Sequence, residues 1–189
     1  MDDTDATLIE RCRDGDLEAF DRLVEKYQGR LYNSLVHWSG SPEDAEDIAQ
    51  ETFVQAYRKL DSFQGRSSFF TWLYRIAFHL AVSRTRRKRR EQSLEARVEE
   101  TGQEVVSEDE SAERLVLRAE QVAMVRKAIA CLQEDHRAVL VLRDLEGLCY
   151  ETIGEILELA PGTVRSRLHR ARQQLRELLK ELLVEPLPD

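Results

Sequence analysis

Apolar residues recur along most of this chain at intervals of three and four, the spacing of one face of an α-helix. A short first segment puts Leu8, Ile9 and Cys12 together. Asp16, a residue type that caps helices, precedes the stripe Phe20, Leu23, Val24, Tyr27, Leu31, Leu35 and Val36. Gly40-Ser41-Pro42-Glu43-Asp44 is a second start signal. Ser41 suits the N-cap, Pro42 the first helical position, and the two acids the positive helix end. From there Ala45, Ile48, Ala49, Thr52, Phe53 and Ala56 share one face, while Asp44, Asp47, Gln50, Glu51 and Gln55 largely occupy the other.

Asp61-Ser62-Phe63-Gln64-Gly65 breaks the pattern and reads as a loop. Helix resumes near Ser68, with Trp72, Leu73, Ile76, Leu80 and Val82 as the expected core face. Residues 91–112 have many acids, few apolar residues and no sustained period, which predicts a linker. A second compact region begins near Glu113 with the stripe Leu115, Ala119, Val122, Val125, Ile129 and Leu132. No alternating run is long enough to argue for a sheet. The expected fold is all-α: two small helical domains, 1–90 and 113–189, joined by a flexible acidic linker at 91–112.

The C-terminal part has helix-turn-helix form. A short helix from about Tyr150 to Leu157 buries Ile153 and either Ile156 or Leu157, and Gly154 permits a close approach by the next helix. Ala160-Pro161-Gly162 turns the chain, and Thr163 can cap the second helix. At 100° per residue, Val164, Leu168, Ala171 and Leu175 form the buried stripe of that helix. Ser166, His169, Arg170 and Gln173 cluster opposite it, bordered by Arg165 and Arg176. Arg and Gln there can pair with base edges in a major groove. Arg167 and Arg172 lie nearer the core boundary and are better placed for phosphate.

Charge sharpens this picture. The 189-residue chain carries a formal net charge of −8, an unpromising sign for a nucleic-acid binder. Its distribution resolves the conflict: residues 66–90 hold eight Arg or Lys and no acid, whereas 91–113 hold nine acids against Arg97 alone. Such segregation predicts weak DNA binding by the chain alone and a larger partner that suppresses its repulsion. The 66–90 stretch also holds five of the 13 aromatics, Phe69, Phe70, Trp72, Tyr74 and Phe78. Cations that track phosphates, interleaved with rings on which bases stack, are what single-stranded nucleic acid requires.

Trp72 and Phe78 both have a packing reading beside the stacking one, and for Trp72 packing is the better account. Phe63, Phe69 and Phe70 lie in or beside the loop and are less easily explained that way. The RTRRKRR run suits either a solvated tail or a phosphate anchor. The acidic face of 41–60 also has two readings, a solvated surface or a docking face for a basic partner helix with Asp47, Gln50 and Glu51 as directed partners. No apolar run is long enough to span a membrane, and the acidic N-terminus lacks the features of a secretory signal. Cys12, Cys131 and Cys149 are scattered, which fits a reducing cytosol and a packing role. Neither a phosphate loop, nor metal-ligand spacing, nor a nucleophile-base constellation is evident, so no cofactor, metal or catalysis is expected.

The segments AEDIAQETFVQAYRKL, SSFFTWLYRIA and GTVRSRLHRAR, in this order and spacing, resemble the extracytoplasmic-function sigma factors of bacterial RNA polymerase. The resemblance covers nearly the whole chain. It implies that Asp47, Gln50 and Glu51 dock on the β′ clamp coiled coil of core polymerase, with further contacts to the β subunit. It implies that the loop near Phe63 to Phe70, then Arg75, His79 and Ser83, recognise and melt the −10 element as a single strand, with Arg84, Arg86 and Arg87 on its backbone. Arg165, Ser166, Arg167, His169 and Arg170 would read the duplex −35 element, joined by Gln173 from the face analysis. The family also implies a cytoplasmic protein silenced by an anti-sigma factor, often one held at the inner membrane.

Three departures qualify the resemblance. Family members usually carry Asn at the position of His79, often Asp at that of Ser83, and Gly in the turn where this chain has Glu158. An autonomous helix-turn-helix regulator would not require the 66–90 segment and would usually dimerise on a palindrome. A sequestering sigma mimic should lack the intact basic helix that this chain keeps.

Overall fold

The computed structural model describes the backbone of residues 4–92 and 112–184, and the side chains of 4–85 and 121–181. The linker expected at 91–112 therefore lies almost wholly outside the described residues. Among the described residues eight α-helices form two groups: α1 (Asp5–Arg13), α2 (Leu17–Ser39), α3 (Pro42–Lys59) and α4 (Phe69–Gln92), then α5 (Ala112–Ala130), α6 (Glu134–Leu140), α7 (Tyr150–Leu157) and α8 (Pro161–Val184).

Local chemistry sets the helix boundaries of the first group. The Asp16 carboxylate accepts from the Ala19 amide at 3.3 Å to cap α2, and Arg11 binds the same carboxylate at 2.9 and 2.7 Å. Gly40 ends α2 in the left-handed conformation at φ 75°, where glycine lacks the Cβ penalty. Ser41 then caps α3 through the Asp44 amide at 3.2 Å, with Pro42 first in the helix, as the sequence predicts. Ser68 caps α4 through the Thr71 amide at 3.1 Å.

Leu23, Leu31, Leu35, Ala45, Ala56, Leu73, Tyr74, Ala77 and Phe78 are fully buried in the core of this group. Trp38 meets Phe78 edge-on at 6.2 Å. The buried face of α4 differs from expectation: Leu73, Tyr74, Ala77, Phe78 and Ala81 face inward, and Trp72, Ile76, Leu80 and Val82 are only half-buried. The large rings of Tyr74 and Phe78, with small Ala77 and Ala81 between, let α4 lie close against its neighbours. That packing outweighs the gain from fully burying the aliphatic side chains.

In the second group the chain leaves α6 through a wide turn at Val141–Leu145, closed by the Glu146 amide on the Val141 carbonyl at 3.0 Å. Val139, Val141, Leu142, Ile153, Ile156, Val164 and Ala171 are fully buried, and Leu168 nearly so. Ile153 and Ile156 provide the α7 anchor, leaving Leu157 half-buried. Helix α8 begins at Pro161, so Pro161 opens the helix and Thr163 lies inside its first turn instead of capping it. Of the three cysteines only Cys12 is packing material; Cys131 and Cys149 are exposed.

The two groups pack on one another, with α4 against α7 and α2 against α5 and the wide turn. Buried Arg137 of α6 donates to the Trp38 carbonyl at 2.7 Å, and to the Leu132 carbonyl at 2.9 Å and that of Ala130. Carbonyl partners of this kind are what keep a buried guanidinium tolerable.

Candidate nucleic-acid interface

Helix α3 turns its acidic face outward: Asp47, Gln50 and Glu51 are all exposed. Asp47 is not isolated, because the Arg84 guanidinium of α4 donates to its carboxylate and lies 3.9 Å from Asp44. A predicted docking acid and a predicted DNA-contacting base therefore satisfy each other. Val54 and Tyr57 follow Gln50 and Glu51 at helical spacing and remain 48% and 45% exposed, giving the acidic face an apolar margin. Their position on the polar side of the helical wheel is a readable signal, but the acids draw attention away from it.

The loop after α3 is held by Arg13, which donates to the Leu60 carbonyl at 3.1 Å and to the Phe63 carbonyl. Phe63 packs on Trp72 and Phe69 with ring centroids 5.1 and 6.0 Å apart. Phe69 is only 2% exposed, so the expectation that it stacks on a base is corrected: it is a core ring wedged among Tyr27, Phe63 and Trp72. Phe63 and Phe70 keep partly open faces. The Arg30 guanidinium lies 4.3 Å from the centre of the Phe70 ring, and Tyr74 packs on the same ring at 4.2 Å.

Arg75, His79 and Ser83 recur every four residues and form one line along α4. His79 and Ser83 are exposed and Arg75 is half-buried. The Arg75 Nε donates to the Glu155 carbonyl at 3.0 Å, and the His79 Nε2 lies 3.9 Å from the Glu158 carboxylate. The side chains of Arg86 and Arg87 lie outside the described residues.

In the second group, the turn between α7 and α8 puts Glu158 at φ 56° and ψ 46°, the left-handed geometry that glycine usually supplies. The glutamate keeps the turn's shape at a backbone cost of about 1 kcal/mol. The Leu159 amide donates to the Gly154 carbonyl at 2.9 Å, so the close approach at Gly154 comes from the turn's own backbone and not from α8.

On α8, Arg165, Ser166, His169, Arg170 and Gln173 are exposed as the helical wheel predicts. Arg165 reaches toward the Tyr150 ring at 5.8 Å, Ser166 donates back to the Thr163 carbonyl at 3.0 Å, and Gln173 meets Glu177 at 3.3 Å. Arg167 pairs with Asp135 at 2.9 Å and Arg172 with Asp144 at 2.9 Å, so both lean toward their own domain and away from the face predicted to read bases. Among the described residues, no cluster of His, Cys, Asp or Glu could hold a metal ion, and no helix is long and apolar enough to cross a membrane.

An acidic helix, a basic-aromatic helix and a helix-turn-helix on one all-α frame define a two-part DNA-binding transcription factor. Sequence models place its relatives: residues 23–91 match Sigma-70 region 2 and residues 123–175 match Sigma-70, region 4. The RNA polymerase sigma-H factor of Pseudomonas aeruginosa is 42% identical over 96% of this chain and 96% of its own. The ECF RNA polymerase sigma-E factor of Escherichia coli is 41% identical over 95% and 96%. The sigma factor RpoE from Bartonella quintana, solved in complex with the anti-sigma factor NepR, superposes with a TM-score of 0.72 at 27% identity, covering 87% of this chain and 98% of that one. CnrH, solved with the cytosolic domain of CnrY, gives a TM-score of 0.66 at 26% identity over 94% and 97%. The chain belongs to the extracytoplasmic-function sigma factors, which direct bacterial RNA polymerase to promoters.

Proposed function

We propose that this factor works as a non-catalytic specificity subunit with three surfaces. The face of α3 that carries Asp47, Gln50 and Glu51 docks on the β′ clamp coiled coil, with Val54 and Tyr57 as its apolar edge. Phe63 and Phe70, with Arg75, His79 and Ser83, capture the unstacked −10 strand, and Arg84, Arg86 and Arg87 follow its phosphates. Arg165, Ser166, His169, Arg170 and Gln173 read the −35 duplex in the major groove, and Arg167 contributes through phosphate. The observation that carries this reading is the exposure of Asp47, Gln50 and Glu51 on α3 and of Arg165, Ser166, His169, Arg170 and Gln173 on α8, each set opposite a buried face.

With a net charge of −8 the chain is a poor DNA ligand alone. Polymerase fixes the two readers at one spacing, so two weak sites act through effective concentration. Capture of flipped bases offsets the few kcal/mol needed to unstack them. Region 113–189 also contacts the β subunit, and an anti-sigma factor covers the docking faces in the cytoplasm or holds the complex at the inner membrane. The anti-sigma partners of the two structural relatives support this part of the reading.

The test is Asp47→Lys. Reversing this charge should abolish co-purification with core polymerase while circular dichroism and the melting temperature stay near wild type. Undiminished co-purification would overturn the docking assignment.

A further inference from the structure

Helix α1 belongs to none of the three surfaces proposed above, yet both of its ends reach the aromatic cluster around the −10 loop. At its C-terminal end Arg13 crosses to the segment after α3, where its Nη2 donates to the Leu60 carbonyl at 3.1 Å and to the Phe63 carbonyl. At its N-terminal end the Asp5 carboxylate accepts from the Lys26 Nζ at 2.6 Å and from the Tyr27 hydroxyl. Burial, and next the Asp5 hydrogen bond, push the Tyr27 phenol upward, so it keeps the proton it donates. The Tyr27 ring lies 5.6 Å from that of Phe69 and 6.2 Å from that of Phe70. Between these ends Leu8, Ile9 and Cys12 are buried, so Arg13 extends from a helix that is itself fixed in the core.

The loop has little else to hold its shape. The Phe63 amide closes the turn on the Leu60 carbonyl at 3.1 Å, and from Gln64 to Ser67 the chain makes no further backbone–backbone hydrogen bond. Gln64, Gly65 and Arg66 are exposed. Packing holds the Phe63 ring on Trp72 at 5.1 Å and on Phe69 at 6.0 Å. A donor on the Phe63 carbonyl fixes the peptide plane that follows this ring. Residue 63 is thus held from two sides, by rings from α4 and by a guanidinium from α1.

We propose that Arg13 is a positioning residue for −10 capture: from α1 it holds the loop in the shape that receives an unstacked base, without touching DNA itself. This rests on the assignment of Phe63 and its loop to the −10 strand. A loop already ordered before the strand arrives loses less freedom on binding, which raises affinity with no new contact.

The test uses the full chain assembled with core polymerase. The probe is a fluorescein-labelled fork, duplex at the −35 element and single-stranded at the −10 element, selected with the wild-type holoenzyme from a randomised pool. Arg13→Ala should weaken fork binding by roughly three- to tenfold. Binding of the −35 duplex alone and co-purification with core polymerase should not change. In a Phe63→Ala background, Arg13→Ala should add little, because both act through one loop. Its effect should also leave the salt dependence unaltered. A salt slope smaller by roughly 0.7–1, or losses that add, would make Arg13 a direct phosphate contact and overturn the positioning role. Arg13→Lys keeps the charge on a stem that ends one bond short of the carbonyls, and it carries the test if the alanine variant loses polymerase. It should bind the fork more weakly than wild type, and full affinity would overturn the proposal. A loss with Phe63→Ala but none with Arg13→Ala would overturn the clamp and leave the −10 assignment standing. No loss with Phe63→Ala would overturn that assignment, and the clamp with it.

Discussion

Gly154→Ala is the substitution whose cost can be worked most directly from the helix-turn-helix. A Cβ at this fully packed position would sit 2.6 Å from the Leu159 carbonyl oxygen, whereas a carbon–oxygen contact needs about 3.3 Å. The turn must therefore retreat by about 0.7 Å. It cannot do so freely, because the Leu159 amide closes the turn on the Gly154 carbonyl at 2.9 Å and Glu158 already sits in the left-handed region. Overpacking of this kind costs about 1–3 kcal/mol, and alanine returns about 0.5–1 kcal/mol over glycine in a helix. The net loss is about 0–2.5 kcal/mol, centred on about 1 kcal/mol. In urea the midpoint should fall with an unchanged slope, and −35 duplex binding should weaken because the turn sets the angle between α7 and α8. Gly162→Ala is the matched control: nothing lies within 4 Å of its added Cβ and its φ is not left-handed, so stability should hold or rise. If Gly154→Ala melts at or above the wild-type temperature, the close-approach argument is wrong.

Arg170→Ala should weaken binding to the correct −35 duplex by about 1–3 kcal/mol, with a smaller loss on mismatched duplexes; an equal loss on every sequence would assign Arg170 to phosphate. Burial, and next the Arg126 charge, hold His37 below its ordinary value of 6.5, so the folded chain refuses a proton that the unfolded chain accepts. Stability should therefore fall as pH drops below 6.5 toward that lowered value, and His37→Gln should flatten the decline, read from urea midpoints between about pH 7 and about pH 5.5.

The legible part of the chain is local. Ser41-Pro42, Asp16 and the Val164–Leu168–Ala171 stripe each act within one or two turns, and the folded protein uses all of them as the sequence suggests. Periodicity misjudges the face of α4 because it weighs Ile76 and Leu80 above Ala77 and Ala81, whereas close packing beside Tyr74 and Phe78 favours the small residues. Phe69 is misplaced because closeness to a loop does not measure exposure; Tyr27, on a distant helix, decides it. The helical wheel sets Arg167 near the core boundary, and Asp135 supplies the reason it stays there. The contact between the groups is not legible at all. Two of its acceptors, the carbonyls of Glu155 and Trp38, are backbone atoms that any sequence would carry.

The Asp47–Arg84 pair has a consequence for how the two macromolecular partners are linked. On the surface assignments proposed above, one end of this pair belongs to polymerase and the other to DNA. A basic helix that docks on Asp47 takes away the nearer of the two carboxylates beside Arg84, leaving Asp44 at 3.9 Å, so the Arg84 charge becomes more available to a phosphate. Thermodynamic reciprocity requires the converse: a strand that neutralises Arg84 leaves Asp47 readier for polymerase. Arg84 and Asp47 are partly exposed, at 38% and 58%, so the effect is at most about 1 kcal/mol, or about fivefold in affinity. Even so, it makes the two binding events cooperative through a single ion pair, with no change of fold.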